Sequence, residues 1–168
     1  MPDLNEGINV DDILQFKELA KQDPAKADRS PTLIAHWDGG DRSRVEFGDI
    51  VTHVGGDNDL GPMHMVLASL AACDVDLVAM HASILGLKIE SLSVEVTGQF
   101  NVRAYLGLED APGSGYGAIT NRVRIHVPGA TPEQIAFLRE RCQKSSPVGD
   151  SLARPIEMKL GFEADTGG

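Results

Sequence analysis

Cysteine is scarce in this chain: Cys73 and Cys142 are the only two among 168 residues. Two thiols cannot build a disulfide framework, and the start "MPDLNEGINVDD" is too acidic and polar for a secretory signal or transit peptide. Together they predict a reducing, cytoplasmic compartment without a structural disulfide. Positive charge is also short, with 15 Lys and Arg against 25 Asp and Glu and a formal net charge of -10. Phosphate binding needs clustered Lys and Arg, so nucleic acid and membrane surfaces are excluded as partners. No apolar run approaches the roughly 20 residues that span a bilayer. Internal repeats and low-complexity tracts are missing as well.

Several chemical signatures are absent too. The glycine turns "WDGGD" and "VGGDND" lack the G-x-x-x-x-G-K-S/T pattern of a phosphate cradle. The histidines His36, His53, His64, His81 and His126 form no H-x-x-x-H pair, so no metal or other cofactor is expected. Ser145 and Ser146 precede Pro147 without the G-x-S-x-G turn that exposes a serine nucleophile, and they read as a cap for "PVGDSL".

What is present is an ordinary globular composition, 42% hydrophobic and 24% charged, at a length that suits one domain with a proper core. "VDDILQFKELAKQ" spaces Ile13, Phe16 and Leu19 as an amphipathic helix, with Asp11 or Asp12 as its cap. Two prolines then break the pattern, so residues 1–30 read as a helical extension and linker before a domain at 31–168. "TLIAHWDGG", "DRSRVEFGD" and "IVTHV" read as three short strands joined by tight turns. A long helix is predicted from Pro62 to about Leu85, stopped by Gly86. "KIESLSVEVTGQFNV" alternates as a strand with Ile89, Leu92, Val94 and Val96 inward, the slip after Ile89 marking a bulge. "AITNRVRIHVPG" is the next strand. "TPEQIAFLRERCQK" is a helix with Thr131 as N-cap, Pro132 at the first position and Gln134 closing a capping box. One more strand, "IEMKLGFEA", ends the order. Runs of strands interrupted by two helices predict an α+β fold with mainly antiparallel sheets.

Val66, Leu70, Cys73, Leu77, Met80 and Ile84 form one apolar stripe on the long helix. Free cysteine is among the most buried residue types, so the stripe by itself makes Cys73 a packing residue. A nucleophilic role needs a cation from elsewhere in the fold, because nearby aspartates disfavour a thiolate. Helical geometry turns Asp74 away and leaves Asp76 to share the cysteine's face. Ile135, Leu138 and Cys142 form a short stripe of their own, which reads as packing.

The stretch "GPMHMVLASLAACDVDLVAMHASILGLKIESLSVEVTGQF" resembles the central helix and following strand of the OsmC and organic hydroperoxide resistance (Ohr) superfamily. The shared features are a proline at the helix start, an Ala-Ala-Cys segment and a Gly-Leu stop before a long alternating strand. "SSPVGDSLARPIEMKL" is similar to the second signature, usually Cys-Pro-Val or Cys-Pro-Tyr before the last strand. "RAYLGLED" and the N-terminal extension resemble a divergent OsmC-like subgroup, here without the second active-site cysteine. The resemblance covers roughly residues 31–163 and implies an intertwined homodimer with two long helices at its centre.

It also implies a reaction: a helix thiolate attacks a peroxide, a second cysteine closes a disulfide, and a glutamate orients an arginine on the thiolate. By position Cys73 is the attacking cysteine, Ser146 stands where the second cysteine belongs, and Met63 where the glutamate belongs. Either Arg42 or Arg44 fits the arginine. The expectation is therefore a one-cysteine reductase of organic hydroperoxides that uses an external thiol reductant in oxidative stress defence. The alternative is a non-catalytic dimer that binds a small hydrophobic or electrophilic molecule at the subunit interface.

Overall fold

Asn9 rather than an aspartate starts the first helix. The computed structural model describes residues 5–167, and in it α1 (Val10–Gln22) is capped by the Asn9 side chain, which accepts from the backbone N–H of Asp11 and Asp12. A cap must sit outside the helix in extended conformation, as Asn9 does at φ -84 and ψ 98. The two aspartates lie one step later, in the first turn, where negative charge suits the helix dipole. Of the predicted apolar stripe Ile13 is half-buried while Phe16 and Leu19 stay exposed, and the buried residue of α1 is Val10, at its start. A 3₁₀ turn, Pro24–Ala27, follows.

The three predicted short strands form an antiparallel sheet in the order β1 (Ile34–Trp37), β2 (Ser43–Phe47) and β3 (Ile50–Val54). Arg44 sits in register opposite His36 on one side and His53 on the other. The sheet's substantial contacts run only among its own strands. Every residue of β1 is exposed, so this sheet has no covered face.

The long helix is α2 (Pro62–Ile84), ended by Gly86 at φ +72, a left-handed conformation natural to glycine. Its 23 residues are long and apolar enough, by length and composition, to cross a membrane. That corrects the expectation that no run reaches this length: Asp74 and Asp76 interrupt the run without lowering its average enough. Here α2 packs along the strand β4 (Ser91–Phe100) and against two helices, α3 (Pro132–Ser145) and α4 (Pro147–Ala153).

β4 pairs antiparallel with β5 (Tyr116–His126), and Leu92, Val94 and Val96 face inward as their alternation predicts. Ile89 precedes the strand and packs on the core, and the register shift lies at Gln99 and Phe100 instead. Thr131, Pro132 and Gln134 form the expected capping box on α3. The core gathers where α2 ends: Ala82, Leu87, Val127 and Leu138 are buried together, with Phe137 and Ile135 against them.

The architecture is α+β with antiparallel sheets, as expected, but the last strand does not form. "IEMKLGFEA" has no neighbouring ladder among the described residues, and a strand without a partner leaves its backbone groups to water. Met158, Leu160 and Phe162 are 91%, 90% and 85% exposed.

Asn5 ties the N-terminal segment to this core. Its amide donates to Ser83 Oγ at 2.7 Å and to the Leu87 carbonyl at 2.9 Å, and its oxygen accepts from the Ile89 N–H at 2.8 Å. Asn5→Ala is expected to lower stability by about 1–3 kcal/mol, because it strands polar groups beside the buried Ser83. Urea unfolding checks this through a lower midpoint at constant m. An unchanged midpoint would mean that water replaces the amide without loss.

Candidate functional site

Cys73 lies midway along α2 and points toward the α3–α4 junction. There its Sγ is 3.5 Å from Ser146 Oγ, within hydrogen-bonding distance for sulfur, and either atom can donate. Ser146 is the N-cap of α4, and its Oγ accepts from the Gly149 N–H at 3.2 Å. That bond uses an oxygen lone pair and leaves the hydroxyl hydrogen free to turn to the sulfur. A Cβ on Gly149 would lie 3.0 Å from Ser146 Oγ, so the absence of a side chain lets this turn close on its own cap. Ser146 is buried and Cys73 half-buried, so the pair is neither fully sealed nor open.

The neighbouring aspartates are placed the opposite way from the helical expectation. Asp76 is exposed, and Asp74 is 1% exposed. Asp74 sits four residues after Leu70 and four before Val78, within the row that packs inward. Asn121 of β5 donates its side-chain N–H to Asp74 Oδ2, while Asp74 Oδ1 has no partner among the described residues.

Cys142 stands one helical turn before Ser146 on α3, and both cysteines are free thiols. Burial pushes the Cys142 thiol up to about 11, and the nearby Asp74 and Cys73 push in the same direction. An acidic neighbour and partial burial make it a poor nucleophile at neutral pH, in keeping with its reading as a packing residue.

Asp74, Asn121, Cys142 and Ser146 share the wall of one cavity of about 890 Å³. Val66, Leu70, Ile119 and Leu152 make much of the remaining surface apolar. Met63, where the resemblance implies a glutamate, also lines it, and its carbonyl accepts from Tyr116 Oη at 2.6 Å. The Tyr116 ring lies over Gly98, where an added Cβ would come within 2.3 Å of it. Glycine in β4 is therefore what allows the tyrosine to brace the start of α2.

Arg42 and Arg44 lie apart from this group, at the sheet β1–β3. Arg42 is in the turn before β2 rather than in the strand, and its guanidinium meets Asp59 at 3.2 Å and Asp38 at 3.7 Å. Arg44 pairs with Glu46, two residues on along the same face. Within one chain the structure brings Cys73 and Ser146 together, places Met63 in the cavity that Ser146 lines, and engages both arginines with carboxylates.

Sequence reasoning did not single out Asn121 or Tyr116, and it turned Asp74 away. The row Leu70, Asp74, Val78 was a usable signal for Asp74. Nothing local marks Asn121 or Tyr116, whose roles arise only when side chains of β5 reach α2.

With this geometry in place, residues 55–161 match the family described as OsmC-like protein, and the chain belongs to that family. No curated protein matches it. An OsmC-like protein from Mycoplasma pneumoniae is similar over 75% of this chain and 89% of its own, at 19% identity and a TM-score of 0.63. An OsmC-like protein from Vibrio cholerae covers 74% and 94%, at 11% identity and a TM-score of 0.58. An organic hydroperoxide resistance protein, OsmC, from Legionella pneumophila covers 75% and 90%, at 17% identity and a TM-score of 0.51. At these identities the likeness is one of fold.

The Cys142 environment has a measurable consequence. A thiol at about 11 is about one part in a thousand thiolate at pH 8, against about one in ten for the ordinary value of 9.0. In Cys73→Ser protein, iodoacetamide should label Cys142 about a hundredfold more slowly than a free cysteine, the rate rising about tenfold per pH unit between 7 and 9.5. Intact mass against time measures it, and labelling at the rate of free cysteine would contradict the half-buried, acidic setting.

Proposed function

We propose that this chain is a thiol-dependent reductase of organic hydroperoxides in which Cys73 works in a one-cysteine cycle. The observation that carries the reading is the 3.5 Å approach of Cys73 Sγ to Ser146 Oγ. It keeps the spatial pairing of the family's two cysteines while replacing the second by an alcohol. The thiolate of Cys73 attacks the terminal peroxide oxygen, the O–O bond breaks, and a sulfenic acid and an alkoxide result. The alkoxide takes up a proton and leaves as the alcohol. Ser146 cannot close a disulfide. An external thiol therefore attacks the sulfenic sulfur and releases water, and a second thiol frees Cys73 as the external disulfide departs. Ser146 instead stabilises the thiolate, because its O–H can donate to the sulfur while its lone pair holds the Gly149 N–H.

The apolar cavity beside the pair suits a hydroperoxide with a hydrocarbon body. Solved structures of this fold include proteins named for organic hydroperoxide resistance, from Legionella pneumophila and Elizabethkingia anophelis. The protein is taken to work as a homodimer in a reducing, cytoplasmic setting. Support for the dimer lies in the uncovered sheet β1–β3 and in the alternating, exposed tail from Ile156 to Phe162. In that assembly Arg42 or Arg44 of a second copy supplies the cation that Cys73 lacks within its own chain. Residues 31–168 form the catalytic unit and residues 1–30 its extension.

One stoichiometric pulse of cumene hydroperoxide followed by dimedone should give one adduct by intact mass in wild type and none in Cys73→Ser. Ser146→Cys should instead lose two hydrogens as an intramolecular disulfide closes across the 3.5 Å gap. If wild type gains no adduct and consumes no peroxide with any thiol donor, the reductase reading fails and the non-catalytic binding dimer replaces it.

A further inference from the structure

A carboxyl group removed from water needs donors, and Asp74 has too few. It is 1% exposed, a single neutral amide, Asn121, donates to Oδ2, and Oδ1 accepts nothing from the described residues. Asp74 forms part of the wall of the 890 Å³ cavity, together with Asn121. Among the described residues no Lys, Arg or His lines that cavity, so nothing in its wall compensates a negative charge. A buried carboxylate left without a cation is strongly unfavourable, and a charge-assisted hydrogen bond from a bound group is the direct remedy. The rest of the wall is largely apolar, with Val66, Leu70, Ile119, Leu152 and Met158 contributing.

We propose that this cavity binds a small amphiphile with a cationic, hydrogen-bond-donating head, of the primary alkylammonium class, whose nitrogen docks on the Asp74 carboxylate while its hydrocarbon body lies along the apolar wall. This goes beyond the thiol chemistry and does not depend on it, since the docking group is Asp74 and not Cys73. A neutral alcohol can fill the same apolar space but brings no charge to the carboxylate. A fatty carboxylate brings the wrong charge and is repelled.

Calorimetry on the full chain carrying Cys73→Ser removes any contribution from peroxide chemistry and keeps the two readings separable. Octylamine, octanol and octanoate serve as probes of equal chain length. Octylamine should bind at least tenfold more tightly than octanol, with octanoate weaker still. Asp74→Asn should remove the preference for octylamine and leave octanol binding unchanged, with circular dichroism confirming the fold. Should that variant unfold, Ala118→Trp gives a second test, because Ala118 is exposed yet lines the cavity and a bulky ring there should block octylamine binding. Equal affinity for octylamine and octanol in protein with Asp74 intact would overturn the proposal, as would octylamine binding undiminished by Ala118→Trp.

Discussion

The need to bury one face of α2 organises this molecule. A 23-residue apolar helix gains little by standing in water, and its inward row is met along its length by β4, α3 and α4. Each partner approaches at a different height. The strands and α3 close on Ala82, Leu87, Val127 and Leu138 at the C-terminal end, which forms the dense part of the core. The α3–α4 junction reaches the middle, at Cys73, and the Tyr116 side chain braces the N-terminal start through the Met63 carbonyl. Cys73 thus lies on the longest helix, between its close-packed end and a cavity.

Ser146 links the fold to the chemistry. As the N-cap of α4 it satisfies the Gly149 N–H, one of the donors that the start of a helix leaves open, and serine is among the residues best suited to that place. As the neighbour of Cys73 it offers a hydroxyl where the resemblance implies a thiol. Serine at this place suits the cap and cannot close a disulfide with Cys73. Cys142 does not restore it, although it lies on the same helix one turn earlier. Its thiol is held in the protonated form by partial burial and the nearby Asp74.

Periodicity and cap chemistry made most of the fold legible. The box at Thr131 and Gln134, the extent of α2, the three short strands and the alternation of β4 all rest on interactions within a few residues. Failures fell where the deciding contact is distant or partnerless. Asn9 outcompetes Asp11 and Asp12 for the cap because it alone stands outside the helix. The tail from Ile156 to Phe162 carries a strand's alternation but has no ladder to join among the described residues. At the site, Cys73, Ser146 and Met63 were visible through the resemblance. The pairing of Asp74 with Asn121 depends on a β5 side chain reaching α2, which no local pattern encodes.

The features left unsatisfied by a single chain belong to one physical problem. A three-stranded sheet with both faces open is marginal in isolation, and an exposed alternating tail is an unpaired strand in all but hydrogen bonds. The same sheet holds Arg42 and Arg44, each neutralised by a carboxylate in its own chain. On the proposed dimer, covering those faces and delivering a cation to Cys73 are a single event. Bringing either guanidinium to the sulfur requires it to leave Asp59 or Glu46, or to be shared with it, and sharing weakens the field at the thiolate. The strength of thiolate activation is then set by competition between a sulfur and a carboxylate for one arginine. Ser146 acts in the same direction without that competition, because its lone pair rather than its hydrogen holds the Gly149 N–H. In the proposed reaction a serine at this place thus retains part of the thiolate stabilisation even where the arginine is divided.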